Sequence, residues 1–183
     1  IQIVEFDKVT VDQFTEALAV CKGSNMEALI LDLRSNPGGS LSVVCDIARK
    51  ILPEGLIVYT EDKYGQREEF SCDGNNELTI PMVVLVNGYS ASASEILAGA
   101  IQDYGKGTLM GTQTFGKGIV QRVISLSDGS AVKLTISTYY TPKGKNIHGV
   151  GITPDEVVEF EPELYYNDGI DNQLEAAIAY LKQ

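Results

Sequence analysis

Residues Val83–Gln121 read VVLVNGYSASASEILAGAIQDYGKGTLMGTQTFGKGIVQ. The apolar β-formers Val83–Val86 predict a buried strand. Asn87-Gly88 breaks it. The segment Ser90-Ala-Ser-Ala-Ser-Glu95 then opens a helix with Ile96, Leu97, Ala100 and Ile101 on one face, and Gly105 suits its C-cap. A serine therefore sits where a strand turns into a helix, at the positive end of the helix dipole and among unspent backbone N–H groups. Such a position suits a nucleophile that must generate and hold an oxyanion. The same residues also fit a capping box, S-x-x-E from Ser92 to Glu95, whose role would be structural.

A nucleophilic serine needs a base. The single histidine, His148, lies far downstream in a Gly-rich loop and offers a thin Ser-His-Asp reading. Lys117, in Thr114-Phe-Gly-Lys-Gly118, is the better candidate. A free lysine titrates near pH 10.4, so half-neutrality at pH 7 costs about 4.6 kcal/mol. Burial can supply that much. Leu109, Met110, Phe115, Ile119 and Val120 are apolar, and no acid lies between Lys106 and Asp128 in the sequence. Gln121 is four residues on, in an expected strand, where it can orient the amine.

Outward from this stretch the pattern is α/β. Ile1–Phe6 alternates as a strand. Thr10 is expected to cap a helix through Phe14, Leu18 and Cys21, stopped by Gly23 and Asn25. Ala28–Leu33 reads as a strand buried on both faces and ends in Arg34-Ser-Asn-Pro-Gly-Gly39. There Pro37 fixes one φ and the glycines open conformations closed to other residues. Ser40 or Ser42 caps a helix through Val44, Ile47 and Ile51, ended by Pro53. Leu56–Thr60 is a third strand, Tyr64–Cys72 a hairpin or edge extension, and Asp73-Gly-Asn-Asn76 a turn. This alternation predicts crossover units and a mainly parallel sheet. Beyond Gly105 the pattern changes to a short strand Thr108–Gly111, then Ile119–Leu126 and Ala131–Tyr140 joined by a Ser127–Ser130 turn. Val157–Phe160 reads as a short last strand, and Asp171 starts an amphipathic helix through Leu174, Ala177, Ile178 and Leu181.

At 183 residues the expectation is a single domain, 1–183, with a sizeable core. A net charge of −11 argues against nucleic acid or an anionic membrane as a partner. No apolar run approaches membrane-spanning length. Cys21, Cys45 and Cys72 give neither a metal pattern nor a clean disulfide framework, so they are read as free thiols, mostly buried.

Four stretches, in order, carry a family resemblance: LILDLRSNPGG (Leu29–Gly39), SASASEILAGAIQDYG (Ser90–Gly105), GTQTFGKGIVQ (Gly111–Gln121) and HGVGITPD (His148–Asp155). Together they resemble the carboxyl-terminal processing peptidases, or tail-specific proteases, which are serine peptidases with a Ser-Lys dyad. The resemblance implies Ser92 as nucleophile, Lys117 as general base and Gln121 as holder of the lysine amine. It places the oxyanion-hole amides at Gly38 and Ala93. Glu95 is a supporting residue, and Asp103 matches an acidic position without an assigned chemical role. It also implies a ClpP/crotonase-like core with a mixed-sheet extension and no metal or cofactor. Its substrates would be protein or peptide C-terminal tails, without CoA. Oligomerisation stays open. A bacterial cell-envelope location is implied, with a peptide-binding PDZ domain and an N-terminal anchor expected outside this sequence. Two other classes remain: a catalytically silent peptide- or lipid-binding module on the same fold, and a crotonase-like acyl-CoA enzyme.

Overall fold

The computed structural model describes residues 1–183. In chain order the elements are α1 (Thr10–Gly23), β1 (Leu29–Asp32), α2 (Leu41–Ala48), β2 (Gly55–Asp62), β3 (Arg67–Cys72), β4 (Met82–Val86), α3 (Ala93–Tyr104), β5 (Thr108–Gly111), β6 (Ile119–Ser125), β7 (Ala131–Tyr140), β8 (Glu156–Val157), α4 (Pro162–Asp168) and α5 (Asn172–Leu181). They build a mixed α/β fold with two four-stranded sheets, ordered β1-β4-β5-β8 and β3-β2-β7-β6.

The first sheet is parallel throughout, with Leu29 opposite Met82 and Val83 opposite Thr108. β4 runs through its centre, and all five of its residues are buried. Successive side chains leave a strand on opposite faces. Val84 and Val86 accordingly join the main core with Leu97, Ala100 and Ile101 of α3. Val83 and Leu85 meet Met110 and Ala177 beneath α5. Helices cover both faces, which is why β4 reads as an unbroken apolar run.

The second sheet corrects the expected crossover pattern. Leu56–Thr60 was expected to continue the parallel sheet. Instead β2 pairs antiparallel with β3 and with β7. The reason is local: only residues 63–66 connect β2 to β3, far too few for a parallel crossover. Asp62 Oδ1 accepts the Tyr64 and Gln66 N–H groups at 2.8 and 2.9 Å and fixes that turn. β6 and β7 form the expected hairpin, with Ser125 opposite Ala131.

Several boundaries moved for identifiable reasons. Ile1–Phe6 makes only single bridges, Gln2 to Asp32 and Phe6 to Gly39, so it flanks the sheet without becoming a full strand. Thr10 lies inside α1, and the cap is Asp7, whose Oδ1 accepts the Val9 and Thr10 N–H groups at 3.0 and 3.2 Å. Ser40 holds the N-cap position of α2 as expected, but its hydroxyl bonds the Ser42 hydroxyl at 2.9 Å and makes no side-chain cap to the helix N–H groups. α4 was not anticipated, because its residues bury nothing and so show no periodicity. Gly105 takes the left-handed C-cap of α3, and Asp171 caps α5 through Leu174 N–H at 3.0 Å, both as expected.

Candidate active site

Parallel strands β1 and β4 are neighbours, so the loops leaving their carboxyl ends, Arg34–Gly39 and Asn87–Ser92, lie side by side. Ligands favour this end of a parallel sheet, where helix N-termini converge. A cleft of about 290 Å³ opens here. Its walls are Gly39–Leu41, then Ser92, Ala93 and Ile96, then Ile119–Gln121 with Tyr139.

The three serines separate cleanly. Ser90 and Ser94 are fully buried. Ser90 Oγ donates to the Leu33 carbonyl at 2.8 Å, and Ser94 Oγ donates to the Asn36 carbonyl at 3.0 Å. Both hydroxyls tie the β4–α3 connection to the β1 loop. Ser92 alone is half-buried and faces the cleft. Its backbone lies at φ 57°, ψ −114°, and Ser94 N–H donates to Ala91 O across it at 3.1 Å. That is the first central position of a tight turn that glycine normally fills. A serine held there costs about 1–3 kcal/mol, and such strain clusters at functional sites. The Glu95 N–H of the first helical turn goes to the Ser92 carbonyl at 2.9 Å.

Glu95 holds the site together. It is fully buried. Oε2 accepts Ser92 N–H and Lys117 N–H, each at 2.9 Å. Oε1 accepts Thr114 Oγ1–H at 2.6 Å and Gly116 N–H at 2.7 Å. One carboxylate thus joins the serine turn to the lysine loop. From the other side, the Tyr139 hydroxyl donates to the Lys117 carbonyl.

Other positions depart from expectation. Lys117 is half-buried, and its side chain is not a wall of the cleft. The apolar neighbours expected to bury it diverge: Leu109 and Met110 lie in the core, whereas Phe115 is 63% exposed. The ion pairs of the chain use Arg34, Arg49, Arg67, Lys106 and Lys145, leaving the Lys117 ammonium without a carboxylate partner. The sequence suggested no acid nearby, yet Glu95 abuts its main chain. Gln121 is exposed at the start of β6 and lines the cleft with Ser92.

Ala93 also lines the cleft, but Gly38 does not. Gly38 packs beneath the serine turn so closely that a Cβ would lie 2.7 Å from Ser92 Cβ. Its N–H donates to Asn36 Oδ1 at 2.8 Å. The expectation that this amide is free for an oxyanion is therefore not met in this conformation. Its neighbour is better placed. Phe6 N–H donates to Gly38 O, and Ser40 N–H donates to Phe6 O, so the intervening Gly39 N–H points away from Phe6, and Gly39 lines the cleft.

Asp103 lies at the far end of α3, away from the cleft. Its side chain is 2% exposed; it accepts Lys143 N–H at 2.8 Å and pairs with Lys145 Nζ at 3.3 Å. Its role here is to pin the 141–145 turn. His148 is exposed. The surrounding loop braces the lysine loop instead: Gly149 N–H donates to Gly116 O at 2.8 Å, and Ile152 N–H donates to Thr114 Oγ1 at 2.7 Å. Arg34 is clamped by Asp32 and Asp171, both at 2.7 Å, which ties the β1 loop to α5. Cys45 and Cys72 are buried and Cys21 half-buried, all free, and burial pushes the Cys45 thiol up to about 11. No helix is long and apolar enough to cross a membrane.

Comparison with known proteins points the same way as the site. The family model described as peptidase family S41 matches residues 1–158. A carboxyl-terminal-processing protease from Synechocystis sp. is 46% identical over 159 residues, covering 87% of this chain and 37% of the relative. One from Picosynechococcus sp. is 41% identical over 185 residues, covering all of this chain and 45% of the relative. The solved structure of a photosystem II D1 C-terminal processing protease superposes with a TM-score of 0.82 at 38% identity, covering 86% of this chain and 41% of that one. This chain spans less than half the length of these relatives. With the family model matching most of the chain, and with relatives this similar along its length, the protein belongs to peptidase family S41.

Proposed function

We propose that the chain is the catalytic core of a serine peptidase that cleaves protein substrates near their C-termini through a Ser92–Lys117 dyad. The observation that carries this reading is the division among the serines. Ser90 and Ser94 spend their hydroxyls on buried carbonyls, while Ser92 sits strained at a helix N-terminus and faces a cleft.

In this mechanism Ser92 Oγ attacks the scissile carbonyl as its proton passes to neutral Lys117 Nζ. The tetrahedral oxyanion accepts hydrogen bonds from Ala93 N–H and from the Gly38–Gly39 turn. Gly39, which lines the cleft, offers one N–H for this, and Gly38 N–H joins after leaving Asn36. As the C–N bond breaks, Nζ–H⁺ protonates the departing amine, leaving an acyl-Ser92 ester. Water then attacks this ester, with Lys117 again taking the proton. Gln121, on the same cleft, orients the amine. No metal or cofactor takes part.

The ClpP/crotonase-like ancestry of the core, a cell-envelope location and protein tails as substrates belong to this same reading. The names of the relatives support protein tails as substrates, and the core type and the location rest on the resemblance of the motifs. A fluorophosphonate probe tests it. Wild type should label on Ser92, Ser92→Ala should not, and Lys117→Ala should label far more slowly. Failure of wild type to label would favour the silent binding module. Binding of acyl-CoA esters without labelling would favour the crotonase-like enzyme.

A further inference from the structure

Tyr139 is the penultimate residue of β7, and nothing in the motifs singles it out. Its ring is 2% exposed and forms a wall of the Ser92 cleft. Its N–H donates to the Gly118 carbonyl at 3.1 Å, and its hydroxyl donates to the Lys117 carbonyl. Ser92 lines the same cleft. Glu95 makes the matching contacts from the opposite side, accepting both Ser92 N–H and Lys117 N–H. The main chain of Lys117 is therefore gripped at its N–H and at its C=O by two buried side chains; Glu95 also holds Ser92 N–H, and Tyr139 shares the cleft with Ser92.

This grip matters because of what it holds. Lys117 lies between Gly116 and Gly118, whose backbones have little conformational preference of their own. The lysine's position is then set by its hydrogen bonds. A wall of the cleft could be filled equally well by phenylalanine, which would bury no hydroxyl. The hydroxyl is what ties β7 to the lysine loop.

We propose that Tyr139 is a positioning residue for the Ser92–Lys117 pair: its hydroxyl fixes the lysine main chain and orients the serine side chain. This rests on the peptidase reading above. Burial pushes the phenol well above its ordinary value near 10, so it stays a protonated donor through the working pH range.

The test is single-turnover acylation by a peptide ester, comparing wild type with Tyr139→Phe. Misplacement of about 1 Å costs on the order of 100-fold, so the acylation rate should fall roughly 10- to 100-fold. KM should stay within about threefold, because only transition-state geometry is lost. Tyr140→Phe is the control. Tyr140 leaves β7 on the other face and stacks on Tyr59 at 4.9 Å, and this variant should acylate like wild type. Tyr139→Phe acylating within about twofold of wild type would overturn the proposal. A second measurement covers a variant that does not fold or a wild type that does not acylate. With 3-fluorotyrosine at position 139, the fluorine resonance should move when Ser92→Ala removes the hydroxyl. An unmoved resonance would overturn the proposal. A moved one in an inert wild type would sustain the contact and sink the peptidase reading.

Discussion

Glu95 and its four donors, Ser92 N–H, Lys117 N–H, Gly116 N–H and the Thr114 hydroxyl, are where single atoms decide the site. Glu95→Gln keeps the shape but replaces one acceptor oxygen by a donor. Donors left buried without an acceptor cost about 1–3 kcal/mol each, so this variant should lose roughly 2–5 kcal/mol in a urea melt. It should also acylate slowly. A loss within experimental error would mean that the carboxylate is not the tie it appears in the geometry. Ser94→Ala removes one donor from the Asn36 carbonyl and should cost about 1 kcal/mol, while labelling by the probe stays close to wild type. Labelling lost in Ser94→Ala but kept in Ser92→Ala would reverse the assignment. The sequence offered Glu95 as a helix cap and, through the family resemblance, as a supporting residue, but not as the tie between the two loops. Its partners at Thr114–Lys117 lie 19 to 22 residues away, and chain distance hid them.

At the scale of elements, two glycine loops zip together behind the cleft, residues 114–118 against 147–152. Gly151 has φ +76°, and a Cβ there would lie 2.4 Å from the Thr114 carbonyl oxygen. Gly149 has φ +74° but open space around it. Gly149→Ala should therefore cost only the left-handed backbone penalty, about 1–2 kcal/mol. Gly151→Ala adds a clash with main chain and should be markedly less stable in thermal melts, with acylation falling as the lysine loop shifts. Equal stability of the two variants would contradict this account. The HGVG stretch was legible as a motif but not as a brace, because bracing is a contact between distant loops. β4, α3 and the β6–β7 hairpin were legible because period, caps and turn residues agree locally. β2 was placed in the wrong sheet because strand pairing is not written in a strand's own residues, although its short connection to β3 excludes a parallel crossover.

For the whole molecule, the cleft is held between a buried core and a C-terminal helix. Arg34, Asp32 and Asp171 clamp α5 to the loop that carries Gly38 and Gly39. Hydrogen bonding to Arg34 holds the Asp171 carboxyl below its usual value of 3.8. A depressed carboxyl gives stability that is complete above the unfolded value and is lost as pH falls through the folded one. Melting temperature should therefore drop below about pH 4, and Asp171→Asn should flatten that drop while lowering stability at neutral pH. An unchanged acid limb in Asp171→Asn would mean that the clamp does not couple to folding. The central claim is that Lys117 is the base for Ser92. Guanidinium keeps charge and donors but cannot accept a proton at working pH. The most direct measurement is single-turnover acylation of a peptide ester from about pH 6 to 10, with folding checked by circular dichroism. Wild type should gain rate as pH rises across this range, and folded Lys117→Arg should not acylate. Substantial acylation by folded Lys117→Arg would contradict the dyad.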